Sequence, residues 1–257
     1  MSQAIDRFRL DGHIVLITGA SSGLGNHFAQ LLASAGARVA VAARSADKLQ
    51  TLVESITAAG GEARALALDV TDSTSVRNCF DALASWGVPD AVVNNAGITV
   101  TRPLLEQTEE DFDNVIGTNL KGCWLVATEA ARRMVAAGRG GSIVNIASIL
   151  GERVASSVAP YAISKAGVVQ ATKVMALELA RHHIRVNALL PGYVVTDLNR
   201  QFLASEAGDK LRSRIPTRRF NELTDLDGPL LLLVSAAGAG MSGSTVAVDG
   251  AHLVSSL

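Results

Sequence analysis

A chain of 257 residues that is 48% hydrophobic and 18% charged has ample apolar surface for a large core, which excludes intrinsic disorder. Its 23 basic and 24 acidic residues leave a net charge of −1 without any block of like charges, which excludes a sequence-independent nucleic-acid binder. Two cysteines, Cys79 and Cys123, and five scattered histidines supply neither a disulfide framework nor metal-ligand spacing, so no metal is expected.

The segment holding Asp6, Arg7, Arg9 and Asp11 has no apolar core of the signal-peptide kind. The most apolar run, Pro229 to Val234 continuing into Ser235–Met241, is too short to span a bilayer and is diluted by Gly and Ser. A cytoplasmic globular protein without a membrane partner is the expectation. Short apolar runs at 13–18, 38–42, 63–68, 91–94, 142–146, 185–189 and 244–248 read as strands, several of them apolar on both faces as a covered parallel sheet requires. Helical patterns lie between them. Leu24, Phe28, Leu31 and Leu32 share a face, as do Leu49, Leu52, Val53 and Ile56, and then Val76, Phe80 and Leu83. Thr108-Glu-Glu-Asp111 resembles a capping box opening one long helix towards Ala137. The alternation predicts a single α/β domain over 1–257, a doubly wound parallel sheet of Rossmann type with helices on both faces. Ligands of such sheets bind beyond the carboxyl ends of the strands, where the winding reverses.

The first strand runs into Thr18-Gly19-Ala20-Ser21-Ser22-Gly23-Leu24-Gly25 and then straight into a helix. Glycines there allow a tight turn and a close approach of backbone amides to a pyrophosphate, and the helix start adds unpaired N–H groups. An ordinary strand-to-helix turn is the alternative.

Taken with that turn, further motifs in order and spacing make the chain resemble the classical short-chain dehydrogenases/reductases from Thr18 to Gly250. They are Asp69-Val70, Asn94-Asn95-Ala96-Gly97, Asn119 in TNLKG, Ser148, Tyr161-x-x-x-Lys165, Pro191-Gly192 and Val248-Asp249-Gly250. Tyr161 and Lys165, four apart, share one helix face. A free tyrosine titrates near ~10, and an ammonium beside it is expected to lower that value and make proton transfer feasible at neutral pH. Ser148 follows a strand, where its hydroxyl can bond the same substrate oxygen. The resemblance implies a catalytic tetrad of Asn119, Ser148, Tyr161 and Lys165, with the asparagine extending a proton relay and the lysine bonding the nicotinamide ribose.

For the cofactor, the resemblance places Gly19, Ser21, Ser22, Gly23 and Leu24 on the pyrophosphate. It places Asp69 and Val70 on the adenine, with a helix cap as the alternative for Asp69. Asn95, Ala96 and Gly97 fall by the adenine ribose; Asn94 is as readily structural as a contact. Pro191, Gly192, Val194 and Thr196 fall at the nicotinamide and pyrophosphate. Where NAD binders carry an acid, this chain has Ala43, followed by Arg44 and Ser45, which can receive a 2′-phosphate. NADP(H) is therefore expected, with NAD(H) as the alternative.

Residues 193–227 are expected to form a substrate lid with an apolar wall of Tyr193, Leu198, Phe202 and Leu203, faced by Ile149 and Leu150. Arg212, Arg214, Arg218 and Arg219 there could attract an acyl-carrier phosphate, although Asp197, Glu206, Asp209 and Glu222 nearly balance them. Three functions stay open: a carbonyl reductase, with 3-oxoacyl groups among its candidate substrates; an NAD-dependent sugar, polyol or other alcohol dehydrogenase; and a cofactor-binding regulator, which would not need an intact tetrad. The tail Val248-Asp249-Gly250-Ala251 departs from the family's Asp-Gly-Gly. The helices bearing Asn119 and Tyr161 carry Ala127, Ala130, Ala131, Val168, Val169 and Ala171, expected to meet partner subunits in a homotetramer.

Overall fold

The structure, a computed structural model, describes residues 3–197 and 199–255. The seven β-branched and Ala-rich runs form β1 (Ile14–Thr18), β2 (Arg38–Ala43), β3 (Glu62–Ala67), β4 (Ala91–Asn94), β5 (Gly141–Ile146), β6 (Ile184–Pro191) and β7 (Thr245–Val248). They pair in parallel throughout, in the order β3-β2-β1-β4-β5-β6-β7. The chain winds outwards from β1 to β3 and then returns to β4, so the reversal lies between β1 and β4.

After the short α1 (Gln3–Asp6), the helices are α2 (Gly23–Ser34), α3 (Ala46–Ala58), α4 (Ser73–Leu83), α5 (Glu109–Ile116), α6 (Cys123–Ala136) and α7 (Ala159–Leu179). The remainder are α8 (Arg200–Leu203), α9 (Glu206–Arg212) and α10 (Asp227–Val234). Strand alternation distributes the core to both faces. Val15, Ile17, Val39 and Val41 pack against Phe28 and Leu32 of α2, Leu49 and Leu52 of α3, and Leu230 and Leu233 of α10. Ile14, Leu16, Ala40 and Val92 pack on the other side against Phe80 and Leu83 of α4, Val126 and Met134 of α6, and Met175 of α7. Each such side chain contributes roughly 1.5–3 kcal/mol of transfer free energy, and it is this double covering that demands strands apolar on both faces.

Two expectations need correction. The long helix opens at the capping box, where Thr108 Oγ1 accepts from the Asp111 amide (3.1 Å) and Asp111 accepts from the Thr108 amide (3.0 Å). It is not one α-helix, however: Gly117–Gly122 forms a π-helical turn between α5 and α6, and Asn119 lies in it. Such insertions add one residue to a turn and concentrate at functional sites. The second correction concerns the surface for partners. Ala127, Ala130, Ala131, Val168 and Val169 are buried within the protomer, and Ala171 packs against the same core, because these faces meet the sheet and the neighbouring helix. The exposed apolar residues of these helices are others: Phe112, Trp124, Val135, Ile163, Val174 and Leu177.

Among the described residues no helix is long and apolar enough to cross a membrane, and no cluster of His, Cys, Asp and Glu could hold a metal ion. Both cysteines are free and buried.

Candidate active site

A cleft of about 1080 Å³ opens beyond the carboxyl ends of the strands. Its floor begins where β1 ends. Thr18 is buried, and its Oγ1 accepts from the amides of Asn95 and Ala96 (3.0 and 3.1 Å), tying the end of β1 to the end of β4 across the reversal point. Asn95 Nδ2 returns the tie, donating to the carbonyls of Thr18 and Gly19 (3.0 and 3.1 Å). The glycines make this closeness possible. Gly19 has φ +66°, and a Cβ there would meet Ala96 Cα at 2.7 Å; one on Gly25 would meet the Gly19 carbonyl oxygen at 2.4 Å. With Ser22 at the N-cap of α2 making no side-chain cap, the first amides of that helix face the cleft beside Ser21, Gly23 and Leu24. This is a cradle for an anionic group.

Further along the cleft, Ala43, Arg44 and Ser45 follow β2. The exposed Arg44 guanidinium has no hydrogen bond or ion pair among the described residues and acts electrostatically on Asp69. Asp69 lies two residues past β3 and lines the cleft with Val70. Its Oδ1 accepts from the amide and hydroxyl of Thr71 (2.9 and 2.7 Å), which holds its carboxyl below the ordinary carboxylate value. The helix cap is Asp72 instead, accepting from the Thr74 amide at 2.8 Å. Asn95, Ala96 and Gly97 line the cleft, whereas Asn94 points into the sheet, donating to Asn145 Oδ1 (2.9 Å) and the Cys123 carbonyl (3.3 Å). Asn94 is therefore structural.

Tyr161 and Lys165 project from the first turns of α7, and Ser148 stands two residues past β5. The Lys165 ammonium lies 5.5 Å from the centre of the Tyr161 ring and donates to the Ile146 carbonyl at 2.7 Å. Ser148 Oγ accepts from the Leu150 amide at 3.1 Å. Burial pulls the lysine down from its ordinary value of 10.5 to about 8. Burial also raises the Tyr161 phenol, opposed by hydrogen bonding from Ser148. The expected lowering of the phenol by the ammonium is not what this geometry gives. Desolvation of the phenolate is the largest influence on it, and the ammonium, 5.5 Å from the ring centre, does not offset it.

Asn119 differs from its three companions. It is 1% exposed and does not line the cleft; the neighbouring Thr118 does. Its Oδ1 accepts from the Ile98 amide (2.8 Å), while Nδ2 donates to the Ile98 carbonyl (2.9 Å) and Ser164 Oγ (3.0 Å). Its side chain thus locks the segment after Gly97 to the turn carrying Ser164, beside Lys165.

Pro191 ends β6, and Gly192, Val194 and Thr196 continue the cleft wall. Asn199 fixes this stretch, accepting from the Thr196 amide (2.8 Å) and donating to the Val194 carbonyl (2.9 Å). Of the expected apolar wall, Tyr193, Phe202, Ile149 and Leu150 line the cleft; Leu203 is buried behind it, and Leu198 lies outside the described residues. Among the lid arginines, Arg212 pairs with Asp209 (2.7 Å) and Arg219 with Asp225 (2.6 Å), while Arg214 faces the cleft. Sequence reasoning missed Arg153, Asn199 and His252 as cleft residues. The one signal for His252 was its place just beyond β7, at the ligand-bearing edge of the sheet.

A glycine cradle at the switch point, a tyrosine–lysine pair and a serine on adjacent strand ends can bind a dinucleotide and exchange a proton with an oxygen beside it. Comparison with known proteins agrees. A family model described as enoyl-(acyl carrier protein) reductase matches residues 19–251. The chain is 37% identical to 2-dehydro-3-deoxy-D-gluconate 5-dehydrogenase of Escherichia coli, over 97% of this chain and 98% of that one. It is 38% identical to a 3-oxoacyl-(acyl-carrier-protein) reductase of Staphylococcus epidermidis, over 91% and 96%. The crystal structure of a gluconate 5-dehydrogenase from Burkholderia cenocepacia, in complex with NADP and tartrate, superposes with a TM-score of 0.94. It is 37% identical and covers 99% of this chain and 100% of that one. The cradle, the tyrosine–lysine helix and these relatives together make the chain a classical short-chain dehydrogenase/reductase, an oxidoreductase that moves a hydride between a nicotinamide cofactor and a carbonyl or alcohol.

Proposed function

We propose that the protein is an NADP(H)-preferring dehydrogenase/reductase of a small polar secondary alcohol or ketone, acting as a cytoplasmic homotetramer. The observation that carries the cofactor preference is the end of β2. Ala43 offers no carboxylate to repel a 2′-phosphate, and Arg44 with Ser45 lines the cleft beside it with an uncommitted guanidinium. The NADP in the Burkholderia relative supports the same reading. The exposed Phe112, Trp124, Ile163, Val174 and Leu177 support assembly through the α5–α7 surface.

Within this reading the start of α2, with Gly19, Ser21, Ser22, Gly23 and Leu24, holds the pyrophosphate. Asp69 keeps Oδ2 free for the adenine amino group, and Val70 lies alongside. Asn95, Ala96 and Gly97 face the adenine ribose; Pro191, Gly192, Val194 and Thr196 face the nicotinamide. The bound cofactor supplies or accepts the hydride. Tyr161 transfers the proton to or from the substrate oxygen, and Ser148 hydrogen-bonds that oxygen. Lys165 keeps two ammonium donors beyond the one given to Ile146, enough to reach the ribose. Asn119 acts behind them as a positioning residue.

A polar alcohol is favoured over a 3-oxoacyl thioester because Thr99, Thr101, Ser156 and Asn199 line the substrate half beside the apolar wall. The thioester reading rests on the Staphylococcus relative and is a measured arm of the assay. The decisive test is the ratio of kcat/KM for NADPH and NADH in wild type, Arg44→Ala and Ala43→Asp. A charge-assisted hydrogen bond contributes roughly 1.5–3 kcal/mol, so Arg44→Ala should weaken NADPH about ten- to a hundred-fold and barely change NADH. Ala43→Asp should reverse the preference. A wild-type ratio favouring NADH refutes the reading.

A further inference from the structure

The substrate half of the cleft contains a cationic group of residues that proton transfer does not use. Arg153 and Arg214 line it together with His252. Arg153 Nη1 donates to the His252 carbonyl and to Ser255 Oγ (2.9 Å), while its Nε and Nη2 have no partner among the described residues. The Arg214 side chain likewise has none, whereas Arg212 and Arg219 of the lid are paired with carboxylates. His252 is 6% exposed, its Nδ1 is buried without a partner, and its ring packs 5.8 Å from that of Tyr193.

The charges around this group are unbalanced. Asp69, at the adenosine end, is the one carboxylate lining the cleft among the described residues. Asp249 acts on His252 from behind, but its two oxygens accept from the amides of Ala251 (2.9 Å) and Leu253 (2.6 Å). Burial and the Arg153 charge hold His252 below its ordinary value, so at neutral pH it presents an uncharged ring. The Tyr193 phenol feels both guanidiniums and is itself felt by Tyr161, which sets the group one side chain away from the proton-transferring hydroxyl. Uncompensated cations in a cleft with apolar walls concentrate anions, and a guanidinium edge matches the two oxygens of a carboxylate.

We propose that this end of the cleft is a carboxylate site: the substrate is a small hydroxy acid, or the oxo acid formed from it, whose carboxylate is held by Arg153 and Arg214 beside His252 while its carbinol or carbonyl carbon lies at Tyr161 and Ser148. The proposal rests on the reading of the cleft as a hydride-transfer site. In oxidation the alcohol C–H yields a hydride to the oxidised nicotinamide and the O–H yields its proton to Tyr161 in its phenolate form, leaving a ketone and a Tyr161 phenol; in reduction the phenol returns that proton. A carboxylate is favoured over a carrier phosphate because Arg153 is half-buried and backed by the His252 carbonyl, so it lies within the wall rather than at the rim.

The test compares matched substrates with both cofactors: four- to six-carbon aldonic acids such as D-gluconate, the alditols of the same length, a sugar phosphate and a 3-oxoacyl thioester. Calorimetry of D-gluconate binding to the NADP-saturated protein is run alongside. The acids should exceed the alditols by at least about a hundred-fold in kcat/KM, the sum of two charge-assisted contacts at the lower end of their range. Arg214→Ala, at an exposed position, should raise KM and the calorimetric Kd for the acid about ten-fold, and the acid-to-alditol ratio should fall by the same factor. Arg153→Lys should weaken the acid while keeping the charge, because the fork is lost. Alditols, phosphates or thioesters turned over in preference to acids overturn the carboxylate site and leave the hydride-transfer reading standing. Absence of turnover for every substrate together with absence of gluconate binding overturns both.

Discussion

Replacing Thr18 by valine tests the clip that joins β1 to β4. Valine keeps the shape of the buried side chain but removes the oxygen that accepts from the Asn95 and Ala96 amides at 3.0 and 3.1 Å. An amide left without an acceptor costs about 1–3 kcal/mol when dry. Residues 95 and 96 are half-buried, so water reaches them in part and the lower end applies, giving about 2 kcal/mol for the pair. At this chain length each kcal/mol moves the melting temperature by roughly 2–4 °C, so Thr18→Val should melt about 4–8 °C below wild type. Asn95 and Gly97 line the cleft, so the KM for the nicotinamide cofactor should rise as well. Thr18→Ser retains the acceptor and is the control. Calorimetric melting and a cofactor titration read both effects. If Thr18→Val melts within 2 °C of wild type, or if Thr18→Ser loses as much, the clip does not hold the cradle as described.

Tyr161→Phe should abolish nearly all turnover while cofactor binding by fluorescence titration stays within a few-fold; a residual rate above a few per cent contradicts the proton-transfer role. Burial depresses Lys165 from 10.5 to about 8, so between those values the unfolded chain holds the additional proton. The buried charge therefore opposes folding below pH 8 and is relieved as pH rises through that window. Measured melting temperatures of wild type and Lys165→Met should accordingly change in wild type's favour from pH 7 to 9.5, and a constant difference would contradict the burial. Ala251 holds φ +67°, a conformation costing a non-glycine residue roughly 1–2 kcal/mol, partly offset by the greater unfolded-state freedom of glycine. Ala251→Gly should therefore raise the melting temperature by about 1–3 °C. Gly250→Ala should lower it, since its Cβ would lie 2.2 Å from Thr217 Oγ1.

Where a property belongs to a run of neighbouring residues, the sequence reveals it. The strands follow from runs such as Ile14–Thr18, covered on both faces, and the glycine turn and Tyr161–Lys165 spacing follow from local geometry. What depends on a distant partner is not legible in this way. Helical periodicity shows that α6 and α7 have more than one apolar side but not which side meets the sheet, so Ala127 and Val168 read as surface when they are core. Nothing in Gly117–Gly122 marks a widened turn, because its consequence, the Asn119 carboxamide clasping Ile98, joins residues 21 apart. Arg153 and His252 are 99 residues apart and meet only because the parallel strands β5 and β7 have their carboxyl ends on the same side of the sheet. The lid arginines looked equivalent in sequence; their separation into paired and unpaired depends on which carboxylates fold beside them.

The strand order has a consequence for how the protein comes into being. The cleft is lined from Gly19 to His252, by the segment following each of the seven strands, and β7, at one edge of the sheet, carries the last of them. A nascent chain therefore has no complete ligand site until β7 and the segment after it have docked. Ligand at a hundred times its dissociation constant adds about 2.7 kcal/mol to the stability of whatever binds it. Here the share of that gain contributed by substrate goes only to the fully assembled sheet, because His252 stands at the substrate end, so substrate selects finished molecules over intermediates still lacking their edge strand.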